Sequence, residues 1–223
     1  MIMDLQILNS RQKYASIPLK YRGLTLDAYR PYSEGSKAAL TAARDFVASF
    51  PQRCVSEPPE GSRDLVGKGL ALIGDPGAGK TTLTAMILNE VIAAHDVSVT
   101  FVAYADFVSK LIEQMSVQKL AEKGDPRALD RYWQIDALKR RTFTSPLLGL
   151  DDVGKEHQTS SKFAEDEFDR LLRWRHRNAL PVVLSSNIAL TKWGTVYGRS
   201  MASFACEAFT EIPMSGKDLR RRA

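Results

Sequence analysis

The chain has 223 residues, 44% hydrophobic and 26% charged, enough for one α/β domain with a modest extension and a sizeable core. Its formal net charge of +5 and pI near 9.2 suit an anionic partner without demonstrating one. No apolar run approaches the roughly 20 residues of a membrane span, Met1-Ile2-Met3-Asp4-Leu5 lacks a signal peptide's basic start and apolar core, and Cys54 and Cys206 form no metal-ligand pattern, so a cytoplasmic protein with reduced thiols and no membrane contact is expected.

Residues 1–13 are mixed in character and read as a short N-terminal arm, either a small helix or irregular. Residues 14–64 read as a linker and helix packed on a core of 65–223. In that linker, Ile17-Pro18-Leu19-Lys20-Tyr21-Arg22-Gly23-Leu24-Thr25-Leu26 looks extended and laid across the domain. Gly35 to Phe50 predicts a helix with Ala39, Leu40, Ala43, Phe46, Val47 and Phe50 on one face. Pro51 to Arg63 holds three prolines and reads as a surface loop.

Leu70 to Ile73 is a short apolar run, as a buried parallel strand requires. It leads into Gly74-Asp75-Pro76-Gly77-Ala78-Gly79-Lys80-Thr81-Thr82, which matches G-x-x-x-x-G-K-[ST] from Gly74 to Thr81. Leu83, Met86, Ile87 and Val91 then recur at helical spacing. The glycines allow a tight turn and close approach to phosphate oxygens, and several N–H groups converge at a helix N-terminus that favours negative charge. The nine residues from Gly74 to Thr82 are the predicted ATP cradle. Lys80 would reach the β- and γ-phosphates, and the Thr81 hydroxyl would ligate Mg²⁺.

Val97 to Val102 alternates like a strand, and Tyr104 to Met115 reads as a core helix. Ser116 to Arg141 is mildly basic, interleaves Tyr132 and Trp133, and breaks at Gly124-Asp125-Pro126. It reads equally as a DNA contact or as ordinary packing. Pro146 to Leu150 is the next strand, followed by Asp151-Asp152. An apolar run ending in paired acids is the Walker B pattern. Asp151 would hold the Mg²⁺ shell and Asp152 would orient the attacking water. Lys162 to Asn178 is a helix, and Pro181 to Asn187 a buried strand with a polar end. Asn187 can hold the lytic water or contact the γ-phosphate; the alternative is a turn residue capping Ile188-Ala189-Leu190. The tail from Ile188 to Ala223 reads as a short helix or two and a final turn with Arg220, Arg221 and Arg222.

Strands alternating with helices predict a P-loop α/β fold, a parallel sheet with helices on both faces. The three polar strand ends would share the rim where ligands bind. On the helix over 162–178, Arg175 falls at i+7 from Phe168 on the apolar face, where an arginine calls for a buried acid or a subunit neighbour. Arg170, Arg173 and Arg177 gather beside Trp174. That stripe fits nucleic acid by charge and stacking, but a solvated face with Glu165–Asp169–Arg173 pairing is the favoured reading.

The order GDPGAGKTT, LLGLDDVGKE, LPVVLSSN resembles the AAA+ ATPases of the DnaC/IstB-like group, which includes replicative helicase loaders. SIPLKYRGLTLDAY and YGRSMASFACEAFTEIPMSGKDLRR resemble the segments before and after the core of such proteins, and no sizeable C-terminal lid follows. The resemblance implies a Mg-dependent ATPase that assembles subunits when ATP-bound and acts in DNA replication on single-stranded DNA and a replicative helicase. It also implies that the element near 116–141 lines a single-strand channel. Lys80, Thr81, Asp151, Asp152 and Asn187 take the Walker and sensor positions. Two departures stand out: Asp152 replaces the more usual Glu, and Ser203-Phe204-Ala205 lacks the family's arginine finger. Arg199, about one helical turn earlier, is the substitute candidate, balanced against a plain surface arginine. Within the same resemblance, a transposition accessory ATPase that binds double-stranded DNA is the rival. A nucleotide-gated binding module with little hydrolysis is the third reading.

Overall fold

The computed structural model describes residues 5–55, 61, 63–154 and 162–214. Met1 to Asp4, Lys155-Glu156 and the Arg220–Arg222 turn lie outside the described residues, as do positions 56–60 and 62 of the proline-containing loop.

Four predicted apolar runs form β1 (Gly69–Ile73), β2 (Val99–Ala103), β3 (Leu147–Val153) and β4 (Val182–Ser186). A fifth strand, β5 (Phe209–Pro213), corrects the expectation of only helices and a turn in the tail. Phe209, Thr210 and Ile212 favour a strand but Glu211 and Pro213 do not, and Pro213 is tolerated because β5 is an edge strand. All pairings are parallel, in the order β2-β3-β4-β1-β5.

Alternation along each strand divides the core into two layers. Leu70, Leu72, Phe101 and Val183 pack with α2 (Glu34–Ala48) and α4 (Lys80–His95). Ala71, Ile73, Leu150 and Leu184 face α5 (Tyr104–Ala121), α7 (Lys162–Arg177) and α9 (Arg199–Ala208). Helices thus cover both faces. Gly149 lets α4 approach β3 closely, since a Cβ there would stand 2.9 Å from Leu88.

The polar stretch over 116–141 is a helical hairpin of α5 and α6 (Pro126–Thr144). Gly124 takes a left-handed φ of +86°, Asp125 caps the Arg127 and Ala128 N–H groups, and Pro126 starts α6. Arg131 clasps Glu113 through two bonds of 2.6 and 2.7 Å, which holds the Glu113 carboxyl below its usual range. The burial stripe of α5 runs through Tyr104, Phe107, Val108, Leu111 and Gln114. Ile112 and Met115, expected in the core, fall off that stripe and are about half exposed.

Arg175 is fully buried on α7 and corrects a second expectation. Its hydrogen-bond partners among the described residues are backbone carbonyls and not a carboxylate. Its guanidinium donates to the carbonyls of Thr142, Phe143, Ser145 and Pro181 at 2.8–3.1 Å. Three of these lie at the C-terminal end of α6, where the helix dipole favours a cation. Burial pushes the Arg175 pKa down to about 9.

The N-terminal segment begins as α1 (Leu5–Tyr14) and then wraps the domain. Ala15 O accepts the Phe101 N–H at 2.7 Å on the outer side of β2. The expected extended run contains one 3-10 turn, Leu19–Tyr21, and ends where a second, Leu26–Ala28, begins. Asn89 on α4 donates to Tyr21 O and Leu24 O, and Glu90 accepts the Leu26 N–H. α2 begins with a reciprocal Ser33/Ser36 capping box. Residues 51–53, expected in the loop, belong with Phe50 to the short helix α3 (Phe50–Arg53). The tail also holds α8 (Trp193–Val196). None of the described helices is long and apolar enough to cross a membrane.

Candidate nucleotide site

The loop between β1 and α4 is shaped by three glycines. Gly77 and Gly79 have φ of +86° and +82°, and a Cβ on Gly74 would lie 2.0 Å from Met214 O. Gly74, Asp75 and Ala78 shape the turn, while Pro76, Gly77, Gly79, Lys80, Thr81 and Thr82 line a cleft of about 410 Å³. Asp152 and Asn187 line the same cleft, and so do Lys20 and Tyr21 from the N-terminal segment.

Lys80 opens α4 and is largely buried. Its ammonium donates to Gly74 O at 2.7 Å, Asp75 O at 2.9 Å and Asn187 Oδ1 at 2.7 Å. Thr81 Oγ1 donates to Asp151 Oδ1 at 3.0 Å, so β1's loop and β3 meet across the rim. The paired acids were expected just past the strand. Instead β3 runs on to Val153 and contains both. The register with β4 shifts between Leu150 and Val153, and Asp152 has a φ of +58°. Such an irregularity re-aims side chains: Asp151 is buried against Thr81, and Asp152 is partly exposed in the cleft.

Ser185 holds this arrangement. Its hydroxyl donates to Asp151 Oδ1 at 2.5 Å and accepts the Asp152 N–H at 2.9 Å. Ser186 Oγ donates to Val153 O at 2.7 Å and accepts the Ile188 N–H at 3.0 Å. On the other side of the loop, Tyr32 OH donates to Ala78 O at 2.7 Å, and burial pushes the Tyr32 hydroxyl pKa up. Sequence reasoning assigned no role to Lys20, Tyr21, Tyr32 or Ser185. For Ser185 the polar end of an apolar strand was a visible signal. For the others no motif exists.

The oxygens of Thr81 and Asp151 are hard donors of the kind Mg²⁺ prefers. The Thr81 hydroxyl spends its proton on Asp151 and keeps lone pairs for a metal. Among the described residues no cluster of three or more His, Cys, Asp or Glu could hold a metal. An ion held by one or two protein oxygens plus phosphates needs no such cluster.

A second cavity of about 520 Å³ adjoins the cleft and shares Lys20, Tyr21, Thr81 and Asp152 with it. Phe101, Phe107 and Leu138 are among its apolar lining residues, with Asp106, Lys110 and Asp151 among the polar ones.

Arg199 is exposed at the first turn of α9 and lines neither cavity. On α7, Arg173 donates to Asp169 and to Ser200, and Arg170 pairs with Glu167. The favoured i, i+4 pairing of Asp169 with Arg173 is therefore present.

Comparison with known proteins adds the following. A family model described as IstB-like ATP binding protein matches residues 44–206. The replicative helicase loader DnaI of Bacillus subtilis (strain 168) is 36% identical over 124 residues, 55% of this chain and 34% of that protein. The match thus spans about a third of the relative's length. A crystal structure of the DnaC helicase loader superposes with a TM-score of 0.66 at 21% identity, covering 89% of this chain and 100% of that one. AMPPCP-bound DnaA from Aquifex aeolicus gives a TM-score of 0.58 at 20% identity, covering 91% of this chain and 53% of that one. At these identities the two structures establish a shared AAA+ P-loop fold.

Proposed function

Because the chain belongs to the IstB-like ATP-binding protein family, we propose that it is a Mg-dependent ATPase of the helicase-loader kind. The carrying observation is that Lys80, Thr81, Asp151, Asp152 and Asn187 converge on one rim, from the start of α4, from β3 and from just past β4. Gly74 to Thr82 cradle the phosphates, with N–H groups at the start of α4. Lys80 pairs with the β- and γ-phosphates. Thr81 and Asp151 would hold Mg²⁺, which when bound neutralises charge on the β- and γ-oxygens. Asp152 and Asn187 position the attacking water.

Replicative loading is favoured by the similarity to DnaI, a replicative helicase loader. Single-stranded DNA would lie along the α5–α6 hairpin. There Lys119, Lys123 and Arg127 have no carboxylate partner among the described residues, and Trp133 is 53% exposed, a combination that suits backbone charge and base stacking. Arg199 would act only on a neighbour's nucleotide, in an ATP-dependent homo-oligomer. The rival, a transposition accessory ATPase on double-stranded DNA, is favoured by the IstB-like description of the matching family.

The test is phosphate release by the full chain with Mg-ATP, and by Lys80→Ala, combined with capture assays against a purified replicative helicase and a transposase. Turnover lost in Lys80→Ala and capture of the helicase are expected. Unchanged turnover removes the ATPase, and capture of the transposase alone selects the rival. Tight ATP binding with no phosphate release, even with DNA, would select the gated module.

A further inference from the structure

We infer that Lys20 is a phosphate-contacting residue that acts within its own chain, placing a second cation at the terminal-phosphate end of the cleft. The inference rests on the ATP-binding reading above and names a residue that no motif marks. Lys20 sits in the first 3-10 turn of the N-terminal segment. It lines the cleft together with Gly79, Lys80, Thr81 and Thr82, and borders the adjoining cavity beside Thr81 and Asp152. Among the described lining residues of the cleft, Lys80 and Lys20 are the two cations.

The two lysines are held differently. Lys80 has three oxygen acceptors around its ammonium. The Lys20 ammonium lies 4.6 Å from the ring centroid of Tyr21 and has no carboxylate partner among the described residues. Its backbone is nonetheless fixed. Asn89 holds Tyr21 O and Leu24 O, Arg22 Nε donates to Ile17 O, and Ala15 is bonded to β2. A flexible four-carbon stem is therefore presented from a rigid support where the cleft and the adjoining cavity share Thr81 and Asp152.

ATP carries about four negative charges, which Mg²⁺ and one lysine offset only in part. Clamps on the transferred phosphoryl group commonly add a further cation. This chain has Phe204, buried, where its family resemblance leads one to expect an arginine, and Arg199 stands outside the cleft. Lys20 meets the need from the same chain, with no requirement for a neighbour.

Binding of Mg-ATP and Mg-ADP should be titrated on the full chain, on Lys20→Ala and on Lys20→Arg, with turnover measured on each. Lys20→Ala is expected to weaken ATP about tenfold, the effect of losing one charge-assisted hydrogen bond, to change ADP less than twofold, and to slow turnover. Lys20→Arg should retain most of both. Equal weakening of ATP and ADP would place the side chain elsewhere along the nucleotide and overturn the assignment, as would no change at all. A mixture of Lys20→Ala and Lys80→Ala chains separates action in cis from action in trans. No recovered turnover is expected, and recovery would show that Lys20 serves a neighbour. Failure of the unaltered chain to bind either nucleotide would instead remove the ATP-binding reading itself, and this one with it.

Discussion

The ammonium of Lys80 and the carboxamide oxygen of Asn187 are 2.7 Å apart, although 107 positions separate them in the chain. The bond ties the loop after β1 to the end of β4 and gives the lysine a neutral partner that phosphate oxygens can displace. Asn187→Asp would replace that partner by a carboxylate, which holds Lys80 as an ion pair and repels phosphate. Mg-ATP affinity is expected to fall about tenfold or more in Asn187→Asp and only a few-fold in Asn187→Ala. Titration of nucleotide binding checks this, and equal affinities in the two variants would contradict it.

Ser185 is buried completely and touches both acids of β3. Ser185→Ala removes the hydroxyl that orients Asp151 and leaves the Asp152 N–H without its acceptor. Turnover should fall about tenfold, and the Mg²⁺ concentration for half-maximal activity should rise. Nucleotide affinity measured without Mg²⁺ should stay as it was. A magnesium requirement identical to that of the unaltered chain would show that Ser185 does not set the metal ligands.

Arg175 joins the end of α6 to the start of β4 through carbonyl oxygens alone. Arg175→Met leaves four buried acceptors without their donor, and a loss of about 4 kcal/mol is expected in chemical denaturation. Arg175→Lys keeps a cation, but three donors on one nitrogen do not reproduce a planar fork. About 2 kcal/mol should be lost there.

Tyr32→Phe deletes the hydroxyl that grips Ala78 O at the crest of the phosphate loop. A stability loss of about 1 kcal/mol is expected. Release of bound nucleotide, followed by stopped-flow fluorescence, should be a few-fold faster because the loop is less firmly held. An unchanged release rate would mean that Tyr32 supports the fold without restraining the loop.

What the sequence disclosed follows from how far each interaction reaches. The phosphate loop is legible because its glycines, Lys80 and Thr81 are contiguous; β1, β3 and β4 are legible from their apolar runs, and β2 from its alternation of β-branched residues. β5 was hidden because its pairing with β1 outweighs the poor propensity of Glu211 and Pro213. The partners of Arg175 were hidden because backbone carbonyls carry no sequence signature. Lys20 and Tyr32 reach the site through a wrapped N-terminal segment, and nothing in local pattern foretells where such a segment lands.

β2 is a side strand of the sheet, and a bare side strand recruits strands from other molecules. Ala15 occupies one of its outward N–H groups, that of Phe101, and Ile17 is fully buried two residues on. The segment around Ala15 therefore covers part of this edge against strand addition. Trimming the chain into this region should yield sticky, aggregating material, seen as loss of the monodisperse protein in size-exclusion chromatography.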